Sequence, residues 1–188
     1  MKFCSECGHK VERRILGDDT HPRFQCAGCG MVHYQNPKVL VSCYATWEDK
    51  ALWMRRAAAP CIGKWTAPSG FVEEGESLQD AAARELFEET RARVDMAQME
   101  LHLIGNLVRM NQIYVVFRAP LLTPEFETTS EASEVRLFSH SDFPIGDFAF
   151  PEVAENINLF YRDLASKQFG VYMGTLVDGK NVIKPIEH

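Results

Sequence analysis

The order of hydrophobic and polar positions first indicates a pair of strands near residue 40. Residues 39–46 form an apolar run rich in β-branched side chains, which is typical of a buried strand. The polar residues 48–50 predict a turn, and residues 51–55 predict a second strand that returns beside the first. A hairpin is therefore expected after the Asn36-Pro37 junction, where the character of the chain changes.

A helical period replaces the strand pattern at residues 77–91. Leu78, Ala82 and Leu86 recur every four residues and form the face that is expected to be buried. Ser77 is followed three residues later by Asp80, which is close to a capping box and predicts the start of the helix.

Downstream segments predict three more strands and a second helix. The strands are expected at residues 101–110, 112–119 and 134–138. Residues 151–167 carry one apolar stripe and predict a helix, and the segment 171–188 predicts a hairpin or a tail around a turn at 177–180. Because strands and helices alternate, the pattern predicts an α/β fold with a mixed sheet flanked by helices.

Two pairs of cysteines precede these elements. Cys4 and Cys7, then Cys26 and Cys29, form two C-x-x-C pairs that are each followed by glycine and separated by 18 residues. A tight turn directs both sulfurs of a pair to one ion, and four thiolates suit tetrahedral zinc. Since so short a segment needs a metal to fold, residues 1–36 are predicted to form a zinc ribbon with a structural Zn²⁺.

Other cysteines and histidines have simpler interpretations. His9, His21 and His33 are alternative zinc ligands, but four cysteines already complete a site, so surface positions are expected for them. Cys43 lies in an apolar run and is expected in the core. Cys61 has no base near it in the sequence, which disfavours a nucleophile.

Composition and charge narrow the possible partners. The 188 residues, 46% hydrophobic and 24% charged, suit one folded domain with a small appendage. A net charge of −6 argues against a broad nucleic-acid surface, but an anionic substrate remains possible where a metal supplies positive charge. No secretory signal or membrane-spanning run is predicted, and paired cysteines favour a reducing compartment, so a cytoplasmic location is expected.

The predicted helix at residues 77–91 carries an acidic face. Glu85, Glu88 and Glu89 lie at positions i, i+3 and i+4 and therefore share one side of the helix. Like charges so close repel each other, and Arg84 is the nearest cation. Divalent ions remove that repulsion, and carboxylate oxygens are suitable ligands for Mg²⁺ or Mn²⁺.

The acidic face belongs to a longer pattern. Five residues separate Gly70 from Glu76, and seven more precede the Arg-Glu-Leu-Phe-Glu-Glu run at 84–89. This stretch resembles the Nudix box, the loop-helix signature of hydrolases that cut nucleoside diphosphates linked to another moiety. The resemblance implies an α/β/α sandwich over residues 37–170, dependence on Mg²⁺ or Mn²⁺, and attack of water on a pyrophosphate phosphorus.

The resemblance also implies roles for individual residues. Glu85, Glu88 and Glu89 correspond to the metal ligands, Glu76 to a further or water-bridged ligand, and Arg84 to a residue that orients a neighbouring glutamate. Arg91 departs from the pattern because a glycine usually follows at that point. A changed helix end is expected there, with the chemistry retained.

The surroundings of the box offer further candidates. Glu85 or Glu88 is a possible general base, as are Glu131 and Glu134 in a later loop, although solvated loop glutamates are the simpler interpretation of those two. Arg56 and Gly70 are predicted to contact the substrate, with an ordinary surface arginine as the alternative for Arg56. The aromatic residues that are available to stack on a base, each also a candidate for the core, are Phe71, Trp53, Tyr114 and Phe148.

The groups of enzymes that this stretch resembles differ in substrate, and the sequence favours some of them. NADH pyrophosphatases are similar in having a ribbon before the box, but their Ser-Gln-Pro-Trp run is missing here. The stretches YQNPKVLVSC, NQIYVVFRA and SEVRLFSHSDFPIGDFAF are similar to ribbon-bearing FAD and ADP-ribose pyrophosphatases. That resemblance implies a small nucleotide substrate, release of AMP and a possible homodimer. NADH or NAD-capped RNA hydrolysis, and a non-catalytic nucleotide sensor, are the alternatives.

Overall fold

The computed structural model describes residues 1–186, and the last two residues of the predicted C-terminal segment, Glu187 and His188, lie outside it. The chain forms two compact units, and Met1–Pro37 is the first. Its antiparallel strands are β1 (Val11–Arg14), β2 (Arg23–Cys26) and β3 (Val32–His33). Within this unit the buried apolar side chains are those of two cysteines, Cys4 and Cys26, so the unit has almost no hydrophobic core.

The second unit begins at Lys38 and contains a mixed sheet. Its strands within residues 38–186 are β4 (Lys38–Trp47), β5 (Lys50–Arg56), β6 (Trp65–Thr66), β7 (Ser69–Phe71), β8 (Glu100–Leu107), β9 (Gln112–Pro120), β10 (Ala132–Phe138), β11 (Tyr172–Val177) and β12 (Lys180–Pro185). The main order is β10-β5-β4-β9-β8-β11-β12, with β6 paired to β5 and β7 to β4. The β4–β9 and β8–β11 pairs are parallel and the others antiparallel.

Two helices cover opposite faces of this sheet. Helix α1 (Leu78–Thr90) packs with one set of β4 and β5 residues, and α2 (Glu155–Ser166) packs with the alternate set. In β5, for example, Leu52 and Met54 face the α1 side whereas Trp53 faces the α2 side. Because side chains alternate along a strand, a strand buried on both faces reads as a continuous apolar run. The predicted α/β/α sandwich is confirmed.

Helix α1 has the predicted ends. The Ser77 hydroxyl accepts a hydrogen bond from the Asp80 N–H at 3.1 Å, which caps the first turn. Arg91 ends the helix in the left-handed conformation, with φ of 60°, and its N–H donates to the Phe87 carbonyl at 2.8 Å. Arginine therefore adopts the backbone conformation that glycine usually supplies at this position.

Several element limits differ from the sequence prediction. The strand expected at 101–110 ends at Leu107, and a 3₁₀ turn, Val108–Met110, follows. The helix expected at 151–167 starts with a separate 3₁₀ turn, Pro151–Val153. The short strands β6 and β7 were not predicted, because two or three residues carry no periodic pattern.

The C-terminal hairpin belongs to the main sheet. Strand β11 pairs in parallel with β8 and antiparallel with β12, so the described part of the predicted tail extends the sheet. Pairing with a strand about seventy residues away cannot be read from local periodicity. Neither helix within residues 1–186 has the length and apolar run that crossing a bilayer requires.

Candidate functional site

The three glutamates of α1 that the sequence indicated as metal ligands differ widely in exposure. Glu89 is 6% exposed, the Glu85 side chain is 15% exposed, and the Glu88 side chain is 56% exposed. Glu89 therefore lies at the buried end of the face, whereas Glu88 lies at its solvent edge. We call these three carboxylates the glutamate face. One end of it is buried and the other is accessible to solvent.

Arg84 connects the glutamate face to the preceding loop. Its Nη1 donates to Glu85 Oε1 at 2.7 Å and to Glu88 Oε2 at 3.1 Å. Its Nε and Nη2 donate to the two oxygens of Glu76 at 2.6 and 3.0 Å, and Nη2 also reaches the Phe71 carbonyl at 3.1 Å. A planar guanidinium held at so many points is suited to orienting the carboxylates beside it.

Glu76 has surroundings unlike those of the three helix glutamates. One oxygen pairs with Arg84 Nε, and the other accepts both from Arg84 and from the Glu73 N–H at 3.0 Å. The hydrogen bonds from Arg84 lower the pKa of Glu76. These contacts suit a residue that holds Arg84 in place, and the metal-ligand role of Glu76 stays a prediction.

Gly70, on β7, lies directly against the carboxylate of Glu85. A Cβ on residue 70 would be 2.0 Å from Glu85 Oε1 and 2.3 Å from Oε2, which is far inside van der Waals contact. Glycine therefore lets the carboxylate approach the strand backbone. This contact gives Gly70 a part in placing Glu85, whereas contact of Gly70 with substrate stays a prediction.

The backbone next to Gly70 holds the deepest carboxylate. The Ser69 N–H donates to Glu89 Oε2 at 2.7 Å. Burial raises the pKa of Glu89 to about 8, and the charge of Glu85 adds to the effect although the Ser69 bond opposes it. Burial also raises the pKa of Glu85. Buried carboxylates that crowd each other are costly when ionised, and a bound divalent cation removes that cost.

Charged groups on neighbouring segments act on the same carboxylate. The charge of Glu131 raises the pKa of Glu89, and the charge of Arg56 lowers it. Glu134, the other acid considered as a base, pairs instead with Arg55 at 3.5 Å. Of the two loop acids, Glu131 is therefore the one whose charge acts on the glutamate face.

A cavity of about 120 Å³ lies next to the buried end of the glutamate face. Ser69 lines this cavity while its N–H bonds to Glu89, which places the two features side by side. The aromatic residues that line it are Tyr44, Tyr114, Phe148 and Phe150, and its polar residues include Gln112 and Glu152. A cavity needs only about 10–15 Å³ of such volume to hold one water, so this one has room for several waters or for part of a ligand.

The four aromatic residues considered as stacking partners lie in different environments. Tyr114 and Phe148 line the cavity. Trp53 is fully buried, and its indole N–H donates to a tyrosine hydroxyl at 2.8 Å, so it belongs to the core. Phe71 is 43% exposed, with Lys38 Nζ at 5.1 Å from its ring centroid.

The sulfurs of the first unit form a compact ligand group. One ligand atom from each of Cys4, Cys7, Cys26 and Cys29 lies within 4.8 Å of the others. The N–H groups of Cys29 and Gly28 donate to Cys26 Sγ at 3.4 and 3.3 Å, and such bonds, with Cys29 contributing most, lower the pKa of the Cys26 thiol to about 6. Four clustered sulfurs are the donor set of a structural zinc site.

The alternative ligands and the two remaining cysteines lie outside this group. His33 Nε2 comes within 3.3 Å of Cys4 Sγ but is not one of the four clustered ligands. Cys43 is fully buried, which raises the pKa of its thiol to about 12 and confirms its place in the core. Cys61 is exposed, and its thiol donates to the Ala149 carbonyl at 3.4 Å.

The glutamate face has suitable donors for a hard cation, but its oxygens are not closed around one point. Within residues 1–186, the four cysteines are the only group of three or more His, Cys, Asp or Glu side chains whose ligand atoms all lie within 4.8 Å of one another. On the glutamate face Arg84 Nη1 bridges Glu85 and Glu88. Crowded carboxylates with raised pKa values nevertheless fit Mg²⁺ or Mn²⁺, which prefer oxygen ligands.

Three residues of this region had no role in the sequence prediction. Ser69, Gln112 and Glu152 come from β7, from the start of β9 and from the turn before α2. A polar residue at the end of an apolar segment is common, so none of them forms a recognisable pattern. Only the folded sheet brings them to one cavity.

Comparison with known families gives two adjacent matches. The NUDIX domain matches residues 36–162, and the Nudix N-terminal zinc ribbon matches residues 2–35. The NAD-capped RNA hydrolase NudC of Haemophilus influenzae (strain PittGG) is 35% identical over 91 residues, which are 47% of this chain and 33% of that protein. For NudC of Edwardsiella ictaluri the identity is 37% over 95 residues, 50% of this chain and 34% of that protein. These matches span about a third of the length of the curated relatives.

Solved structures extend the comparison to almost the whole chain. A NUDIX hydrolase from Nitrosomonas europaea is 43% identical, with a TM-score of 0.89, over 94% of this chain and 99% of that one. An ADP-ribose pyrophosphatase from Streptococcus suis 89-1591 is 22% identical, with a TM-score of 0.57, over 75% of this chain and 100% of that one, and shows the fold alone. Because the NUDIX domain accounts for more than half of its residues, the chain belongs to the Nudix hydrolase family and carries the N-terminal zinc ribbon found in that family.

Proposed function

We propose that this protein hydrolyses the diphosphate bond of a nucleoside diphosphate derivative, with ADP-ribose or FAD as substrate and AMP as a product. The observation that carries the proposal is the adjacency of the glutamate face and the cavity through Ser69, whose N–H bonds to Glu89. In this proposal the diphosphate of the substrate lies at the carboxylates and one of its rings lies in the cavity.

We assign Glu85, Glu88 and Glu89 as the ligands of a catalytic Mg²⁺ or Mn²⁺. When bound, the cation neutralises the diphosphate and lowers the pKa of a coordinated water. Arg84 orients the carboxylates through its bonds to Glu85 and Glu88, and Gly70 leaves room for Glu85. The four cysteines are proposed to hold a structural Zn²⁺, for which their sulfur donor set is suitable.

Two further roles belong to the proposal. Glu131 is a candidate general base because its charge acts on the glutamate face, although Glu85 and Glu88 remain candidates. Arg56 is a candidate phosphate contact, supported by the effect of its charge on Glu89. A cytoplasmic location is also proposed, since thiolate zinc ligands are maintained in a reducing compartment.

Hydrolysis of NADH or of NAD-capped RNA is the second candidate function. Curated relatives that cover half of this chain are named NAD-capped RNA hydrolases, and these substrates contain the same diphosphate link. The net charge of −6 weakens the case for a long RNA substrate, because phosphate backbones are bound by basic surfaces. The missing Ser-Gln-Pro-Trp run weakens the case for NADH.

A substrate panel distinguishes these possibilities. The full chain is incubated with Mg²⁺ and ADP-ribose, FAD, NADH or NAD-capped RNA in ¹⁸O-labelled water, and the products are identified by mass. We expect labelled product and AMP from ADP-ribose or FAD at higher kcat/KM than from the other two. Absence of hydrolysis of every compound contradicts the proposal, and a preference for the capped RNA selects the second candidate.

The carboxylate roles have a matched set of variants. Glu88→Gln and Glu89→Gln are expected to lower kcat by about a hundredfold or more, because each removes a charged ligand. Glu74→Gln makes the same chemical change on the exposed loop before α1 and is expected to leave kcat within twofold of the original, which we give as a rough bound. Full activity in both helix variants contradicts the assigned metal site.

A further inference from the structure

Two polar side chains of the cavity have no partner in the described part of the chain. Gln112 and Glu152 both line it, and both are half-buried. Among residues 1–186 neither side chain has a hydrogen bond or an ion pair, and Arg109, which shares a second cavity with Glu152, pairs with Asp178 at 3.5 Å. Their amide and carboxylate groups are therefore free to bond a ligand that enters the cavity.

We infer that Gln112 and Glu152 select the base of the substrate, and that the cavity takes adenine through its amino group. The inference rests on the proposed function, since it names the end of the nucleotide that enters the cavity. A glutamine amide bonds adenine by accepting from the N6 amino group and donating to N7. A carboxylate only accepts, so Glu152 takes the second hydrogen of the same amino group.

The walls of the cavity suit a flat ring. Tyr44, Tyr114, Phe148 and Phe150 line it, and aromatic side chains stack on every nucleobase without selecting one. Selection therefore falls to the polar groups. Hypoxanthine has an oxygen in place of the amino group and would turn an acceptor toward the Glu152 carboxylate, which disfavours that base.

A structural role for Glu152 is the competing explanation. It lies in the first turn of the 3₁₀ helix Pro151–Val153, where an acid interacts favourably with the helix dipole. Glu155 occupies the first turn of α2, is exposed and does not line this cavity. Glu155→Leu is therefore the matched control for Glu152→Leu, since both remove an acid from a helix start.

Binding of AMP and IMP to the full chain in the presence of Mg²⁺ tests the inference by calorimetry. We expect the original protein and Glu155→Leu to bind AMP about tenfold more tightly than IMP. In Glu152→Leu and Gln112→Leu the ratio of the AMP affinity to the IMP affinity should fall toward one, because AMP binds more weakly. Equal binding of AMP and IMP by the original protein, or a ratio unchanged in both cavity variants, overturns the inference.

Two further measurements keep the outcome decisive. Glu152→Gln keeps an acceptor oxygen and the side-chain size, so it should fold like the original and retain part of the preference. Hydrolysis of ADP-ribose and its hypoxanthine analogue should show the Glu152→Leu effect mainly in KM, with kcat retained. Selective AMP binding without any hydrolysis contradicts the proposed function alone, whereas hydrolysis without base preference contradicts this inference alone.

Discussion

Glycine at position 70 determines how close the Glu85 carboxylate comes to the backbone of β7. The backbone of Gly70 is not in the left-handed region, so an alanine adopts the same φ and ψ without strain. What alanine lacks is space, because its Cβ would be 2.0 Å from the carboxylate of Glu85. A single methyl group is therefore expected to displace the Glu85 side chain while the fold remains intact.

Gly70→Ala is expected to leave the melting temperature nearly unchanged and to lower kcat by about a hundredfold, the cost of moving a reacting or ligating group by about 1 Å. Calorimetric Mn²⁺ binding to the same variant should be weakened in parallel. Gly146→Ala is the control, because a Cβ at that position meets no atom within 4 Å. Normal Mn²⁺ affinity in Gly70→Ala would show that the close approach of Glu85 does not matter.

At the scale of elements, α1 combines a buried stripe, an acidic face and a strained end. Arg91 has φ of 60°, a region in which residues other than glycine are disfavoured by about 1 kcal/mol. Its guanidinium lies 5.2 Å from the Phe87 ring centroid, and Arg93 lies over the same ring at 4.2 Å. These cation–π contacts offset part of the strain, which explains how the helix ends at the same point without glycine.

Substitutions at Arg91 separate strain from ring contact. Arg91→Ala keeps the strained φ and loses the contact, whereas Arg91→Gly loses the contact but relieves the strain. We expect the glycine variant to be more stable than the alanine variant by about 1 kcal/mol in urea unfolding followed by circular dichroism. Equal free energies of unfolding would mean that the left-handed end of α1 costs nothing.

At the scale of the whole molecule, the sheet of the second unit is stabilised by an aromatic cluster on the α2 side. His102 of β8 is fully buried there, with ring centroids of Tyr44, Phe160 and Tyr172 at 5.9, 5.4 and 5.4 Å. Those rings come from β4, α2 and β11, so the histidine is enclosed by three elements. Within residues 1–186 neither ring nitrogen of His102 has a hydrogen-bond partner.

This environment predicts that the acid stability of the domain depends on His102. Burial lowers the pKa of His102 to about 4, and the charges of Asp163 and Arg118 oppose each other. The unfolded chain, with a pKa of about 6.5, binds the proton first, so stability is complete above pH 6.5 and falls as the pH drops toward 4. Between pH 7.5 and 5.0 the free energy of unfolding is expected to fall by about 2 kcal/mol for this reason.

His102→Leu is expected to remove that part of the pH dependence. Urea unfolding of both proteins at pH 7.5 and 5.0 measures the pH dependence of the free energy of unfolding. Between these pH values the free energy of unfolding of the original protein should fall by about 2 kcal/mol more than that of the variant. A lower stability of the variant at both pH values does not affect the comparison, because only the difference between them is used. Parallel pH profiles would show that His102 does not control acid unfolding.

Local patterns were enough to predict the main elements and the ligand candidates. The helical period around Leu78, Ala82 and Leu86 located α1, and its cap at Ser77 was read from two residues. The spacing of four cysteines predicted the group of sulfurs that the structure brings together. The assignment of catalytic and metal-binding glutamates came from their spacing on one helix, and it stays a prediction.

Element ends and the cavity were beyond such patterns. The strand expected to reach Met110 ended at Leu107, and the hairpin formed by β11 and β12 joined the main sheet beside β8. Gln112 and Glu152, forty residues apart in the chain, met only because β9 and the turn before α2 border the same cavity.

By itself the sequence determined what depends on neighbours within a few residues: the helical face of Glu85, Glu88 and Glu89, the cap at Ser77 and the C-x-x-C turns. Only the tertiary structure decided which glutamate was buried, how Gly70 met Glu85 and what lined the cavity. The physical reason is that helix periodicity and capping arise from hydrogen bonds a few residues apart. Burial, pKa shifts and cavities arise from packing between distant segments, which local spacing does not encode.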